Sequence, residues 1–185
     1  YPGSKIFSIN SLRASAGEGM LAIRAAVYAE ETQAPAEEVA SYIEGQRNFL
    51  RQYVAVHTLD YLKRAGRVKA SAAFFGNLLG VKPIIVADAD GEQAAFKKIR
   101  GRSASLNEIV SLLKESITDP ENQMIYIAHA DCDKAEIESV KEMIRCEIPC
   151  REIYVSAIGP IIGASSGPGV IIMYVYGKEV TFVGE

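Results

Sequence analysis

The stretch Thr58-Leu59-Asp60-Tyr61-Leu62-Lys63-Arg64-Ala65-Gly66-Arg67-Val68 divides the reading of this chain. Thr58 is a good cap for a short helix over residues 59–64, and Gly66 stops it because glycine enters the left-handed region without steric cost. Arg67 follows the stop directly, and a second apolar segment ends in Leu78-Leu79-Gly80-Val81-Lys82-Pro83. Upstream, the pattern alternates strands and helices. Downstream, it changes to hairpins with helices between them.

Working upstream, residues 53–58 (Tyr-Val-Ala-Val-His-Thr) read as a strand. Residues 5–10 (Lys-Ile-Phe-Ser-Ile-Asn) read as a buried strand leading into the turn Ser15-Ala16-Gly17-Glu18-Gly19. Met20, Ile23, Ala26 and Val27 then keep helical spacing to about residue 31. A second helix opens with Glu37 and Glu38 in its first turn, where the positive end of the dipole favours them. Two strands with helices between them predict a parallel pair, part of an α/β layer.

Working downstream, residues 70–79 read as a helix and residues 82–87 as a strand. Asp88-Ala89-Asp90-Gly91 is a hairpin turn, with a return strand beginning at residues 92–99. Residues 105–117 form a helix with Ser105 capping and Glu108 closing a capping box. Residues 124–130 and 152–157 are strands on either side of a helix over 133–145. Residues 170–176 and 179–183 are predicted to form a last hairpin around Gly177. The fold class is thus α/β and α+β. A partial parallel α/β layer (1–66) is followed by a smaller α+β domain (67–185) with a mixed or antiparallel sheet and helices on one face.

The 185 residues are 49% hydrophobic, enough for a core, and the net charge is −3. No basic tract tracks a nucleic-acid backbone. The longest apolar runs are strand-length, short of a membrane span, and no charged-then-apolar leader is expected. The three cysteines, Cys132, Cys146 and Cys150, cannot all pair and lack zinc spacing, so they read as reduced thiols in a cytoplasmic protein. The start at Tyr1 reads as an internal piece of a longer chain.

Each candidate site has a plain alternative. Arg67 can clamp a carboxylate with two parallel hydrogen bonds, or simply be a solvated helix-end cation. Gly163, Gly167 and Gly169, with Ser165 and Ser166, can form an anion-binding nest, or a tight connection between strands. The Ser15–Gly19 turn can bind an anion on helix amides, or pack helix on strand closely. Arg100-Gly101-Arg102, with Lys97 and Lys98, can dock an acidic partner, or be a solvated charge run. His57 and His129 have no nucleophile beside them in sequence, and His129-Ala130-Asp131-Cys132 is too few ligands for a metal centre. No metal is expected.

Taken in order and spacing, these motifs resemble the DegV family of bacterial fatty-acid-binding proteins, over what would be the C-terminal two-thirds of a typical member. The segment from Asn10 to Gly19 resembles the family's Asp-Ser-x-x-x-Ser-x-Gly-x-Gly. The segment from Thr58 to Val68 resembles Thr-Leu-Glu-Tyr-Leu-x-x-Gly-Gly-Arg-Ile. Leu79-Gly80-Val81-Lys82-Pro83-Ile84 resembles Leu-x-Ile-Lys-Pro-Ile, and Arg100-Gly101-Arg102 an Arg-x-Arg element. Ile158-Gly159-Pro160-Ile161-Ile162-Gly163-Ala164-Ser165-Ser166-Gly167-Pro168-Gly169 resembles Ile-Gly-x-x-Ile-Gly-x-His-x-Gly-Pro-Gly.

The resemblance implies a carrier, not an enzyme, that holds a long-chain fatty acid between two domains and presents it to a kinase subunit. By position, Arg67 would lie near the carboxylate, Ser165, Ser166, Gly167 and Gly169 at the pocket, and Arg100 and Arg102 on the surface that meets the kinase. Leu78, Leu79, Phe74, Phe75, Ile161 and Ile162 would be candidate lining.

Two departures stand out: the family's histidine in the last motif is Ser165 here, and its aspartate in the first is Asn10. The family's carboxylate-gripping threonine and serine motifs would lie upstream of Tyr1. Burying about 16 carbons at ~0.8 kcal/mol per methylene leaves the head group mainly an orienting role. A docking domain that has lost lipid binding is the alternative. For a phosphotransferase the sequence shows no Walker loop, no paired metal-binding aspartates in one loop and no nucleophile with a base.

Overall fold

The computed structural model describes residues 2–69 and 80–184. The strand Val170–Tyr176 explains the architecture. Its seven residues, Val-Ile-Ile-Met-Tyr-Val-Tyr, contain no charged side chain, so neither face can look at water. It is accordingly an inner strand of a six-stranded mixed sheet. In chain order the strands are β1 (Leu50–Ala55), β2 (Val81–Ala87), β3 (Gln93–Arg100), β4 (Met124–Ala130), β5 (Glu152–Ala157) and β6 (Val170–Tyr176). Their order in the sheet is β3-β2-β1-β6-β4-β5. Every pairing is antiparallel except β4 with β5.

Alternation along the strands sends side chains to two cores. Tyr53, Ile84, Ile127, Ile171 and Met173 pack under α4 (Arg102–Ser116) and α5 (Lys134–Glu147) through Ile109, Leu113, Val140 and Ile144. On the opposite face Val54, Ile85, Ala128, Ile172 and Tyr174 pack under α1 (Ala16–Thr32), α2 (Ala36–Gln46) and α3 (Asp60–Arg64) through Leu21, Ile43 and Leu62. α6 (Pro160–Ser166) links β5 to β6.

The mixed sheet, the β2–β3 hairpin at Asp88–Gly91, and the strands β4, β5 and β6 match the sequence reading. Several expectations are corrected. Residues 5–10 form no strand, and Ile6 and Phe7 stay exposed at 81% and 44%. Residues 179–183 form none either, although Val180 N–H donates to the Asn48 carbonyl. β1 is flanked by β2 and β6, and β6 by β1 and β4, so neither has a free side for these segments, and the sheet's open edges are β3 and β5. The predicted early parallel pair is therefore not formed, and the strand read over 53–58 runs Leu50–Ala55.

Helices cover both faces, not one. Ser105 does not cap α4: the helix starts at Arg102, and the buried Ser105 hydroxyl donates to the Arg102 carbonyl at 2.7 Å. Glu108 pairs with Lys97 rather than closing a capping box. The division expected at residue 66 falls between β1 and β2, which are hydrogen-bonded neighbours of this one sheet. The helix expected over residues 70–79 lies outside the described residues.

Candidate functional site

The motifs Thr58–Val68 and Ile158–Gly169, a hundred residues apart in sequence, meet at the ends of β1, β4 and β6. The Thr58 hydroxyl accepts from the Asp60 N–H at 3.2 Å and donates to its carboxylate, but α3 starts one residue later than expected, with Leu59 rather than Thr58 at its cap position. Gly66 closes it at φ +63°, with the Arg67 N–H on the Leu62 carbonyl. This geometry holds Tyr61 against α6. Its ring covers Gly167 so closely that a Cβ there would lie 2.4 Å from Tyr61 Cδ2. His57, two residues beyond β1, covers Gly169 in the same way, 2.0 Å from where a Cβ would be. Both glycines have positive φ, +84° and +73°. The two glycines are therefore required twice, by backbone conformation and by the rings pressed on them.

The predicted nest does not form around the serines. Residues 160–166 are helix rather than turn, and Ser165 and Ser166 donate back to Ile161 and Ile162 carbonyls at 2.9 and 2.7 Å. Arg67 is exposed and bonds the Ala65 carbonyl at 3.0 Å. Phe74, Phe75, Leu78 and Leu79 lie outside the described residues. Ile161, by contrast, is 81% exposed.

Arg100 and Arg102 separate. Arg100 is exposed at the end of β3. Arg102 is mostly buried and grips both oxygens of Glu136 at 2.7 and 2.9 Å, while its Nη2 also donates to the Gly169 carbonyl at 2.7 Å. The Arg102 hydrogen bond holds the Glu136 carboxyl below the usual carboxylate range. Lys82 Nζ donates to the His57 carbonyl at 3.0 Å. Burial, then the charges of Arg102 and Lys82, push the His57 imidazole below its ordinary value, against the pull of Glu136. Nearby, Cys132 donates weakly to the Ala130 and Val170 carbonyls, and burial raises its thiol to about 11. The three cysteines are free thiols. Among the described residues no group of three or more His, Cys, Asp or Glu could hold a metal ion.

Close packing of helix on strand accounts for the Ser15–Gly19 turn. Gly17 sits 2.8 Å (as a Cβ) from the Tyr174 ring, whose hydroxyl donates to the Ala14 carbonyl at 2.8 Å. The same turn borders open space. A groove of about 660 Å³ runs from Arg13–Ala16 past Tyr126 and Ser156 to Ile161 and Ile162 of α6. A second, of about 440 Å³, shares Tyr126 and continues over Met20, Ile23 and Val27 of α1 towards Arg24 and Arg151. Both volumes are in the range of small-molecule sites.

Sequence reading missed His57, Tyr61 and Glu136 as parts of this assembly. Tyr61 lay inside a quoted motif, but nothing in the linear order pairs it with Gly167. Glu136 had no signal beyond its place in the first turn of α5.

The comparisons with known proteins bear on family and fold. Residues 1–177 match the family described as uncharacterised protein, DegV family, and the chain belongs to that family. A DegV domain-containing protein of Clostridium perfringens is 35% identical over 177 residues, 96% of this chain and 60% of that protein. A fatty-acid-binding DegV family protein from Thermus thermophilus superimposes with a TM-score of 0.82 at 27% identity, over 96% of this chain and 62% of that one. A DegV family protein from Ruminococcus gnavus, solved with vaccenic acid, has the same fold, with a TM-score of 0.81 at 23% identity, over 95% and 61%. The chain thus spans about 60% of the length of these relatives. Among the described residues no helix is long and apolar enough to cross a membrane.

Proposed function

We propose that this protein is a cytoplasmic carrier of long-chain fatty acid that presents the carboxylate to a kinase subunit and is not itself the catalyst. One observation carries the reading: the two glycine-bearing motifs meet at α6, whose Ile161 and Ile162 border an open apolar groove. The likeness to the Thermus fatty-acid-binding protein supports the same ligand class. On this reading Arg67 and the Ser165–Gly169 segment face the head group, and the acyl chain lies along the groove past Tyr126. Upstream motifs of the longer family members complete the carboxylate grip, this chain corresponding to their C-terminal part. The exposed Arg100 meets the kinase.

The test is lipid extraction from the gently purified protein with mass-spectrometric identification, followed by titration with fatty acid. A bound or saturably binding long-chain acid is the expected result. A protein that is empty and also refuses added acid overturns the reading. Arg100→Glu is expected to abolish kinase pull-down without altering acyl content.

A second reading is favoured by the Ser165 hydroxyl, which is spent on the Ile161 carbonyl. It is a docking domain without ligand. An empty protein that still captures the kinase would establish it.

A further inference from the structure

We infer that Arg102 is a positioning residue for the Gly169 segment rather than a docking charge, and that Glu136 is its obligate partner. The inference rests on the carrier reading above. Gly169 is held at three points. Its N–H donates to the Ala130 carbonyl at 2.8 Å, its carbonyl accepts from Arg102 Nη2 at 2.7 Å, and its α-carbon lies beneath the His57 ring. Arg102 in turn is aimed by the two oxygens of Glu136. The chain of contacts Glu136–Arg102–Gly169–His57 ties the first turns of α4 and α5 to the segment after β1 and to the entrance of β6.

Two features argue against a docking role for Arg102. Its side chain is only 16% exposed, and a carboxylate already neutralises it, so little field reaches a partner. Arg100, two residues earlier, is exposed. The arrangement also requires arginine. A planar fork can bond both oxygens of a carboxylate and a carbonyl together, whereas a lysine ammonium keeps the charge but not that geometry. A docking charge would tolerate lysine; a positioning fork would not.

The experiment titrates an anthroyloxy-labelled stearic acid into the unaltered protein and into Arg102→Lys, Glu136→Gln and the double variant, each well below its melting temperature. Amide hydrogen exchange at Gly169 is followed by NMR in the same samples. Each single variant is expected to weaken binding by roughly tenfold and to speed exchange at Gly169, with the double variant no weaker than the worse single. Arg145→Lys, at an exposed position of α5, is expected to be silent in both readouts. Unchanged affinity in Arg102→Lys overturns the inference while leaving the carrier reading intact. Should that variant not fold, Glu136→Gln decides, since it preserves shape and the arginine, and unchanged affinity there overturns the inference equally. No binding by the unaltered protein overturns the carrier reading and this inference with it.

Discussion

The imidazole of His57 occupies the space that a side chain at position 169 would need. A Cβ on Gly169 would lie 2.0 Å from His57 Cδ2 and 2.3 Å from Nε2. The backbone of Gly169, at φ +73°, would also oppose any L side chain. Gly169→Ala is therefore expected to destabilise the fold by about 3 kcal/mol, combining overpacking with left-handed strain. His57→Ala in the same chain relieves the clash but not the strain, so the double variant is expected to recover more than half of the loss. Urea denaturation of the four proteins checks this; additive losses would show that the ring does not lie on the glycine.

Gly17 meets the same kind of constraint against Tyr174. Gly17→Ala is expected to cost about 1–3 kcal/mol by overpacking, since the added methyl would come 2.8 Å from the Tyr174 ring. Tyr174→Phe removes only the hydrogen bond to the Ala14 carbonyl, and is expected to cost about 1 kcal/mol. Thermal melts of both variants give the ranking.

Acid weakens the His57–Arg102–Glu136 assembly in two separate ranges. His57 has a lowered affinity for protons in the folded state, through burial and then Arg102 and Lys82. The unfolded chain therefore takes up the proton first, and stability falls as the pH drops through the ordinary histidine value of 6.5. Glu136 has its carboxyl lowered by Arg102. Its contribution is present above the ordinary value of 4.5 and is lost as the pH falls through the lower folded value. Melting temperature against pH is expected to lose the first component in His57→Gln and the second in Glu136→Gln. An unchanged profile in either variant removes that assignment.

The cysteines are expected to react in order of exposure. Cys146 is exposed, whereas burial raises the Cys132 thiol to about 11. At pH 8 the reactive thiolate of Cys132 is then on the order of one part in a thousand. Iodoacetamide labelling read by peptide mass spectrometry should modify Cys146 long before Cys132. Early modification of Cys132 would mean that the β4–α5 junction opens.

Ile161 is 81% exposed on the groove. Ile161→Asp is expected to leave the melting temperature within a degree or two, because it removes little buried surface, yet to weaken fatty-acid binding at least several-fold. Unchanged affinity would place the acyl chain elsewhere.

Local chemistry was legible in the sequence wherever it acts over a few residues. The stop of α3 at Gly66, the Asp88–Gly91 hairpin, and the strands β4, β5 and β6 follow from helix-stop chemistry, turn type and apolar runs. The motif order also carried the family. Residues 5–10 and 179–183 show the limit: their patterns suit a strand, but a strand can join only a neighbour that has a free side. Only the order β3-β2-β1-β6-β4-β5 reveals that β1 and β6 have none left. The site divides along the same line. Sequence alone determined that Gly167 and Gly169 are special and that an arginine follows Gly66. The tertiary structure decided why, by bringing Tyr61 and His57 onto those glycines and Glu136 onto Arg102 across separations of 106, 112 and 34 residues. Caps and turns are written in neighbouring residues, whereas ring-on-backbone packing and buried ion pairs exist only once the sheet has set which distant residues share its ends.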